Sequence, residues 1–349
     1  MARTRRAVKI GRTLVGLLLA AFLGAVGLAG WVWRQLALPH QGYDGEEALV
    51  VVEPGRSATA ILDQLATAGV LRDPRLARLY LVHVLGDPPL YAGEYRFVGP
   101  RSVRQVLDQL IRGDVVLHSV TLVEGWTLEE TAAALAAAGL GDAQSFLAAM
   151  RDPGAIADLD REARDLEGYL FPETYSFARG TSEATIVATL VRTFRVRFAG
   201  DVRPLAGERP ARALVTLASI VEKEARLAEE RPLVAGVYAN RLRIGMALYA
   251  DPTVIFALKR RGTWDGNLRR DHLALDDPYN TYRYRGLPPG PSCSPGLASL
   301  QAAAAPAAVE YLYFVSRNDG SHVFAANLAE HNRNVEQWQR RYWRERWRR

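Results

Sequence analysis

The chain of 349 residues contains a single cysteine and only three lysines. Because Cys293 has no second cysteine to pair with, an internal disulfide is excluded, and cysteine usage says nothing about redox compartment. The six histidines show no metal-ligand spacing, and the sequence has no P-loop, no dinucleotide-binding glycine motif and no Gly-x-Ser-x-Gly motif. These absences predict no cofactor and leave carboxylates as the candidates for acid and base chemistry.

The net charge of +6 is concentrated at the two ends of the chain. Five basic residues occur among the first twelve positions, and six arginines occur among the last ten. Between these ends the sequence is slightly acidic, unlike the basic face of a general nucleic-acid binder. We therefore expect no nucleic-acid partner.

Residues 13–33 contain no charged side chain over 21 positions, about the length needed to cross a bilayer as a helix. The stronger basic flank precedes this run, which predicts a cytoplasmic tail of residues 1–12 and an extracytoplasmic remainder. Trp31 and Trp33 lie where interfacial aromatic residues are expected. A cleaved signal peptide is the alternative, but its apolar core would be shorter, about 7 to 15 residues, and no convincing cleavage site follows. Residues 34–47 predict a linker.

A pattern of strand, glycine turn and helix occurs twice. Residues 53–57 (EPGRS) lead into a helical pattern that stops at Gly69, and residues 124–127 (EGWT) lead into one that stops at Gly139. Ser or Thr before each helix is typical of an N-cap, and Gly after it is typical of a C-terminal stop. Residues 102–113 predict a shorter helix of the same design. Such units look like LysM-type modules, which bind glycans, but plain α+β packing units fit the pattern equally well.

Two carboxylates in the segment ASIVEKEA are the best candidates for a reaction centre. The run from Ala211 to Glu229 has no Gly or Pro, and its apolar residues recur at helical spacing, which predicts one amphipathic helix packed into a core. Glu222 and Glu224 would lie roughly 200° apart around that helix, so we expect one carboxylate to act alone. Desolvation beside an apolar face raises the pKa of a Glu and suits it to proton transfer near neutral pH. The periodicity does not choose between the two, and a solvated helix end is the alternative.

Several other segments have recognisable patterns. Residues 166–175 (LEGYLFPETY) interleave aromatic and acidic side chains, which suits a sugar-facing surface or an aromatic core loop. Residues 276–298 are rich in Pro and Gly and predict a long functional loop, a lid or a cleft wall. The sequence also predicts helices over 232–242, from Asp251 onward and over 299–306. It predicts a buried strand over 311–315 and a hairpin turn at 318–321. The last predicted helix is basic and aromatic, and it places Trp338 beside Tyr342 and Trp343 beside Trp347. For this last helix, packing against the domain is favoured over contact with an anionic bilayer.

The order of these motifs behind an N-terminal apolar span resembles the endolytic murein transglycosylase (YceG-like) family. The motifs are LEGYLFPETY, LASIVEKEA, YANRLRIGM, ADPTVIFAL, YNTYRYRGLPPGP, SPGLASLQAAAAP and YLYFVSRNDGSHVFAANLAEHN. The match extends over about residues 48–335. One departure is the sequence around Cys293 in the long loop, where small apolar or polar residues are expected.

This resemblance implies a mixed α+β protein held in the inner membrane by residues 13–33. A LysM-like subdomain over 48–118 and a catalytic domain over 119–349 would face the periplasm. Its partners would be peptidoglycan glycan strands, the membrane and peptidoglycan synthases (penicillin-binding proteins). The family cleaves the β-1,4 bond between N-acetylmuramic acid and N-acetylglucosamine and leaves 1,6-anhydromuramic ends. Its catalytic Glu corresponds to the first acid of the motif, Glu222.

The mechanism that the resemblance implies needs one acid. Glu222 would give a proton to the glycosidic oxygen, and its carboxylate would accept the proton of the C6 hydroxyl that closes on C1, so no water or second carboxylate is required. Motif position suggests a set of residues around the sugar: Glu173, Tyr175, Glu224, Asp251, Asn280 and Tyr282. The alternatives are a membrane-anchored glycan-binding scaffold, which would tolerate loss of Glu222, and a muramidase-type hydrolase, which would need a second carboxylate.

Overall fold

The computed structural model describes residues 2–342 and 344, with side chains from residue 16 onward. The chain forms two compact units. The first runs from the N-terminus to His118 and includes Ala178–Gly180; the second comprises Ser119–Phe177 and the chain from Thr181 onward. The fold is mixed α+β, as the sequence predicts, and its described strands form three two-stranded sheets.

The N-terminal apolar run forms helix α1, Ala2–Ala37. Within it, Gly16–Ala37 is long and apolar enough to span a membrane, and its most apolar stretch is not buried in protein. Trp31 and Trp33 are exposed, and the guanidinium of Arg104 lies 4.7 Å from the centroid of the Trp33 ring. The prediction of one N-terminal apolar helix is therefore confirmed.

The first unit has a core between two antiparallel strands and three helices. Its elements after α1, in chain order, are β1 (Glu47–Val52), α2 (Ala58–Thr67), α3 (Pro74–His83), β2 (Gly93–Val98) and α4 (Val103–Arg112). Strands β1 and β2 pair antiparallel, with Glu47 opposite Val98. Because side chains alternate along a strand, Val50 and Val52 are buried whereas Leu49 and Val51 are exposed.

The segment that precedes β1 contacts other parts of the first unit. His40 and Arg101 form an isolated antiparallel bridge, and the N–H of Gly42 donates to the carbonyl of Gly69 at 2.8 Å. The Tyr43 hydroxyl donates to two carbonyls at the end of β2 and just after it. The linker prediction for residues 34–47 stays a prediction, and in the structure this segment makes backbone contacts with residues distant in sequence.

The predicted repeat is present. Ser57 caps α2, Thr127 caps α5 (Leu128–Ala137), and each side chain accepts a hydrogen bond from a backbone N–H of the first turn. Gly69 and Gly139 follow in the left-handed region, as a helix stop requires. Helix α4, capped by Ser102, has ten residues like α2 and α5, so the expectation that it is shorter is wrong.

The remaining elements surround a second core. In chain order they are β3 (Leu117–Thr121), α5, α6 (Ala143–Met150), β4 (Thr174–Ala178), α7 (Glu183–Arg197), α8 (Arg203–Ala206), α9 (Ala211–Glu224), α10 (Arg231–Arg243), α11 (Asp251–Arg260), α12 (Leu297–Ala304), β5 (Tyr313–Ser316), β6 (His322–Ala325) and α13 (Leu328–Val335). Helix α9 is central, with an unbroken buried run from Leu214 to Val221. It packs against α10, α11 and α12. The second unit is thus built around the helix that carries Glu222 and Glu224.

Helix α9 ends earlier than the periodicity predicts. The sequence predicts a helix up to Glu229, but Ala225 is already extended, and Glu224 is the last helical residue. Neither Gly nor Pro marks this end. A short 3-10 segment, Ala228–Glu230, then leads into α10, where Arg231 contacts Glu222. Tertiary contacts rather than local sequence therefore stop the helix.

The long loop after residue 275 contains no α-helix or strand before α12, as predicted. Its later part, residues 290–296, is buried, whereas residues 283–285 are exposed. Strand β5 pairs with β6 through a turn in which Asn318 has φ +68, which confirms the hairpin. The residues of β5 are only partly buried, so the prediction of a buried strand is wrong.

The C-terminal segment packs on this hairpin. The amide of Asn318 donates to the carbonyl of Trp338 at 2.6 Å, and the guanidinium of Arg317 lies 5.7 Å from the Trp338 ring centroid. Packing against the domain is therefore confirmed for Trp338. Trp343 and Trp347, also part of that prediction, lie outside the described residues.

Gly168 lies where a side chain would not fit. It has φ +84, and a Cβ would come within 2.6 Å of Pro291 Cγ and 3.0 Å of Val215 Cγ1. Gly168→Ala is expected to lower the free energy of unfolding by about 2 to 5 kcal/mol, since left-handed strain and overpacking add. Thermal and chemical unfolding measure the change.

Gly286 provides the matched control. It has φ +89 but open space around its Cα. Gly286→Ala should lower the free energy of unfolding by the left-handed backbone strain alone, about 1 to 2 kcal/mol. Equal losses for the two variants would contradict the overpacking at Gly168.

Candidate active site

Glu222 is held on one side of the end of α9. Its side chain is 6% exposed. Oε1 accepts a hydrogen bond from Arg231 Nη2 at 3.3 Å, and Oε2 accepts one from the backbone N–H of Gly296 at 2.9 Å. The Nε of Arg231 also donates to the hydroxyl of Ser299 at 3.1 Å. Both carboxylate oxygens of Glu222 are therefore hydrogen-bonded, one to a guanidinium group and one to a backbone N–H.

Glu124, from the turn after β3, lies beside this ion pair. Its Oε2 is 3.8 Å from Arg231 Nη2, and its side chain is about half exposed. Desolvation, followed by the charge of Glu222, raises the pKa of Glu124, while Arg231 acts in the opposite direction. A Cβ at position 296 would collide with the Glu124 carboxylate, so Gly296 allows this close approach.

Glu224 lies on the other side of the helix end, in different surroundings. Its Oε1 accepts a hydrogen bond from the Tyr238 hydroxyl at 3.2 Å. Desolvation, assisted by the nearby charge of Asp251, raises the pKa of Glu224 to about 7. The hydrogen bond from Tyr238 and the charge of Arg241 act in the opposite direction. Glu224 can therefore be protonated or ionised near neutral pH, which is what a general acid and base requires.

Asp251 and Tyr282 come together next to Glu224. The Tyr282 hydroxyl donates to Asp251 Oδ1 at 2.5 Å, and desolvation with this bond raises the pKa of Tyr282 above its usual value. The Tyr282 ring lies edge-on to Tyr249 at 5.4 Å between centroids. Tyr249 has φ +52, a conformation that costs a non-glycine residue roughly 1 to 3 kcal/mol and tends to occur at functional sites.

Glu224 opens into a cavity of about 340 Å³. The other residues of its wall come from the end of α9 and from the β5–β6 hairpin: Lys223, Arg226, Ser316, Asn318, Gly320 and His322. A volume in this range is at the small end of ligand sites. The hairpin thus supplies polar side chains opposite the acid.

His322 is oriented by Glu230. The two Glu230 oxygens accept the backbone N–H of His322 at 2.9 Å and contact its ring Nδ1 at 2.7 Å. Both side chains are 10% exposed. The contact with Glu230 therefore fixes the orientation of the His322 ring.

The other predicted sugar contacts are not brought to this cavity. Glu173 is exposed at the start of β4, 3.7 Å from Arg197. Tyr175 is buried, its hydroxyl donates to the carbonyl of Phe171, and burial raises its pKa to about 12. Asn280 is fully buried, and its amide donates to the carbonyls of Leu273 and Leu275, just before the long loop. The positions of Tyr175 and Asn280 are therefore explained by packing and by local hydrogen bonds, without a contact to the sugar.

A comparison with known protein families decides the family. A profile of the YceG-like family matches residues 50–337, most of the chain. The chain belongs to the YceG-like family. The resemblance read from the sequence motifs is thereby confirmed.

Two curated relatives and one solved structure agree with this assignment. An endolytic murein transglycosylase of Bacillus subtilis is 31% identical, over 82% of this chain and 83% of that protein. A Streptococcus pneumoniae protein of the same name is 28% identical, over 91% of this chain and 63% of the longer relative. A crystal structure of a yceG-like protein from Listeria monocytogenes superposes with a TM-score of 0.56 at 30% identity, over 82% of this chain and 99% of that one. The prediction of an enzyme of this type is confirmed at the level of the family.

Sequence reasoning missed several residues of the site in this YceG-like chain. Tyr238 and Arg241 lie one helical turn apart on α10, inside the motif YANRLRIGM, which carried the resemblance but received no role. Polar residues at i, i+3 within an apolar helix were the available signal. Glu230 and His322 are 92 residues apart, so only the fold shows that they interact. Among the described residues, no group of three His, Cys, Asp or Glu side chains could hold a metal ion.

Proposed function

We propose that this chain is an endolytic lytic transglycosylase of peptidoglycan. It would cleave the β-1,4 bond between N-acetylmuramic acid and N-acetylglucosamine in nascent strands, leave 1,6-anhydromuramic ends and terminate strand elongation. The family and the names of the relatives support the reaction class. The observation that carries the proposal is a single carboxyl, Glu224, with a pKa near 7 at the wall of a cavity.

We propose Glu224 rather than Glu222 as the acid. Both oxygens of Glu222 already accept hydrogen bonds, one from Arg231 and one from the N–H of Gly296. Glu224 has one donor, Tyr238, and lines the cavity. The assignment of the acid to Glu222, which the resemblance implied, stays a prediction, and the geometry favours its neighbour.

The proposed reaction uses Glu224 twice. Protonated Glu224 donates to the glycosidic oxygen as the bond from C1 to that oxygen breaks. The resulting carboxylate then accepts the proton of the C6 hydroxyl, whose oxygen forms the new bond to C1. The acid is restored and no water is consumed, so a second carboxylate is not needed. Asp251 helps to keep Glu224 protonated at the start, because its negative charge disfavours ionisation.

The membrane and binding roles are also proposed. Helix α1 would be a single-pass inner-membrane anchor with a cytoplasmic N-terminus, since its basic residues precede the apolar run. The strand–helix–helix–strand order from β1 to β2 supports a LysM-like subdomain over residues 48–118. Residues 119–349 would form the catalytic domain. Peptidoglycan synthases would be partners, as the family suggests.

Mass spectrometry of uncrosslinked glycan strands tests the reaction. The wild-type protein should release fragments with 1,6-anhydromuramic ends. Reducing muramic ends would identify a hydrolase instead. Binding without any cleavage would identify a glycan-binding scaffold.

The pH dependence of cleavage should report Glu224. With a pKa of about 7, the protonated fraction falls above that pH, so kcat/KM should decline by about tenfold per pH unit there and level off below it. In Tyr238→Phe the declining limb should move to higher pH, because the lost hydrogen bond favoured the ionised form. A profile that is flat from pH 6 to 9, or one that Tyr238→Phe leaves in place, would contradict Glu224 as the acid.

A further inference from the structure

A second cavity, of about 710 Å³, lies in the second unit. Its wall comes from residues 160–169, from the first turns of α9, from the end of α11 and from both ends of the long loop. It shares no lining residue with the cavity of Glu224. Its volume is within the range of sites for small ligands and peptides. The proposed cleavage chemistry does not use it.

Most charges in this wall are already paired. Arg212 Nη1 is 2.7 Å from Asp160 Oδ2, and Tyr169 also donates to that carboxylate at 2.7 Å. Arg261 is 2.9 Å from Asp277. These pairs neutralise one another and give the wall a defined shape. They do not by themselves attract an anion.

Two guanidinium groups in the wall are different. Within the part of the chain that the structure describes, neither Arg164 nor Arg260 has a carboxylate within ion-pair distance. Arg260 is held over two rings, 5.5 Å from the centroid of Tyr279 and 5.7 Å from that of Phe256. A guanidinium stacked in this way keeps the N–H groups of its edge free for a bidentate carboxylate. The two rings thus orient Arg260, and its side chain is exposed and has no ion-pair partner among the described residues.

The nearest buried acid does not neutralise them. Glu167 lines the same cavity and is 5% exposed. Its Oε2 accepts the N–H of Leu128 at 3.3 Å, and its Oε1 has no hydrogen-bond partner among the described residues. Burial raises the pKa of Glu167 well above its usual range. Asp165 and Glu162 also line this wall, but neither lies within ion-pair distance of Arg164 or Arg260. The guanidinium groups of Arg164 and Arg260 therefore remain available to a ligand.

The neutral sugar backbone of a nascent strand cannot use these arginines. Its N-acetyl sugars carry no charge, and the lactyl group of each muramic acid is tied up in an amide wherever a peptide is attached. The peptide stem carries the carboxylates. Arginine is the residue best suited to bind a carboxylate through two parallel hydrogen bonds.

We infer that this second cavity is a subsite for the peptide stem of peptidoglycan, with Arg260 and Arg164 binding stem carboxylates. The inference rests on the proposed function, because it presumes that a glycan strand is the substrate. It makes the enzyme selective for strands that still carry peptides. Glu224 would cleave the sugar chain while this subsite holds a stem.

The test compares two substrates with the full-length protein in detergent. One is an uncrosslinked strand with intact stems, and the other is the same strand stripped of its peptides by an amidase, which leaves free lactyl carboxylates. The variants are Arg164→Gln, Arg260→Gln and the double variant. Arg243→Gln is the matched control, since Arg243 is an exposed arginine at the end of α10 and lines neither cavity. The measured quantity is kcat/KM for the release of anhydromuramic ends.

The wild-type protein should cleave stem-bearing strands faster than stripped ones. The double variant should lose about tenfold or more in kcat/KM on stem-bearing strands, the typical effect of losing charge-assisted hydrogen bonds. Its rate on stripped strands, and both rates of Arg243→Gln, should stay at the wild-type level. Because Arg260→Gln keeps a polar side chain on the exposed face of α11, unchanged thermal unfolding is expected and is checked in parallel.

Three results would overturn the inference. Equal losses on both substrates would mean that the arginines support the fold or the sugar site. A loss on stripped strands alone would assign them to the lactyl carboxylate. Wild-type rates in the double variant on both substrates would leave the cavity without a role in substrate binding. No cleavage of either substrate by the wild-type protein would instead defeat the proposed function itself.

Discussion

Glu224→Gln is expected to reduce kcat/KM for glycan cleavage by roughly 10²- to 10⁴-fold, the usual contribution of a general acid and base. Glutamine keeps the shape of the side chain and can still accept from Tyr238, but it can neither donate an acidic proton nor take one back. The variant should therefore remain folded and bind strands. Anhydromuramic ends counted by mass spectrometry measure the rate, and thermal unfolding verifies the fold.

Glu222→Gln is the matched comparison, two residues away on the same helix. It weakens the contacts with Arg231 and Gly296 without touching the cavity of Glu224. We expect a modest loss of stability and a rate well above that of Glu224→Gln. The opposite ranking, with Glu222→Gln inactive and Glu224→Gln active, would return the catalytic role to Glu222.

Arg241→Ala is expected to lower the free energy of unfolding by about 2 to 5 kcal/mol, because buried acceptors lose their donor and a cavity is left. Arg241 is 7% exposed and donates from Nε to the carbonyl of Leu312 at 2.7 Å and from Nη1 to that of Leu248. Its guanidinium also lies within 6 Å of the ring centroids of three tyrosines: Tyr238, Tyr249 and Tyr313. It therefore joins α10 to the segment before α11 and to β5. Chemical and thermal unfolding measure the loss.

Arg243→Ala is the control for that experiment. Arg243 lies two residues further along α10 and is exposed. Its truncation should change the free energy of unfolding by no more than about 0.5 kcal/mol. If Arg241→Ala changed the free energy of unfolding as little as Arg243→Ala does, the hydrogen bonds of Arg241 to the two carbonyls would not be stabilising the fold.

Local signals predicted most elements of the fold. The caps Ser57 and Thr127 and the glycines that follow α2 and α5 act on backbone groups within a few residues, so their spacing was sufficient. The end of α9 had no such signal. It depends on contacts between the end of α9 and the start of α10. The spacing of apolar residues within one helix does not predict such contacts.

The candidate site was predictable only in part. Glu224, Asp251 and Tyr282 were expected near the sugar, and the fold brings them together. Asn280 and Tyr282 are both polar residues of the same predicted loop. The Asn280 amide, however, donates to the carbonyls of Leu273 and Leu275. Polar composition identifies a functional segment, but it does not say which side chain faces the ligand.

The sequence by itself determined the apolar N-terminal helix, the capped repeat, the absence of metal and nucleotide motifs, and membership in the YceG-like family. Each depends on residue type at short spacing or on the order of motifs. Only the tertiary structure distinguished the surroundings of Glu222 from those of Glu224. Glu222 is hydrogen-bonded to Arg231 and Gly296, whereas the pKa of Glu224 depends on its burial, on Asp251 and on Tyr238. These partners lie 9 to 74 residues away from the two acids along the chain. Electrostatics and solvation act through space, so the fold decides the surroundings of each of these two acids.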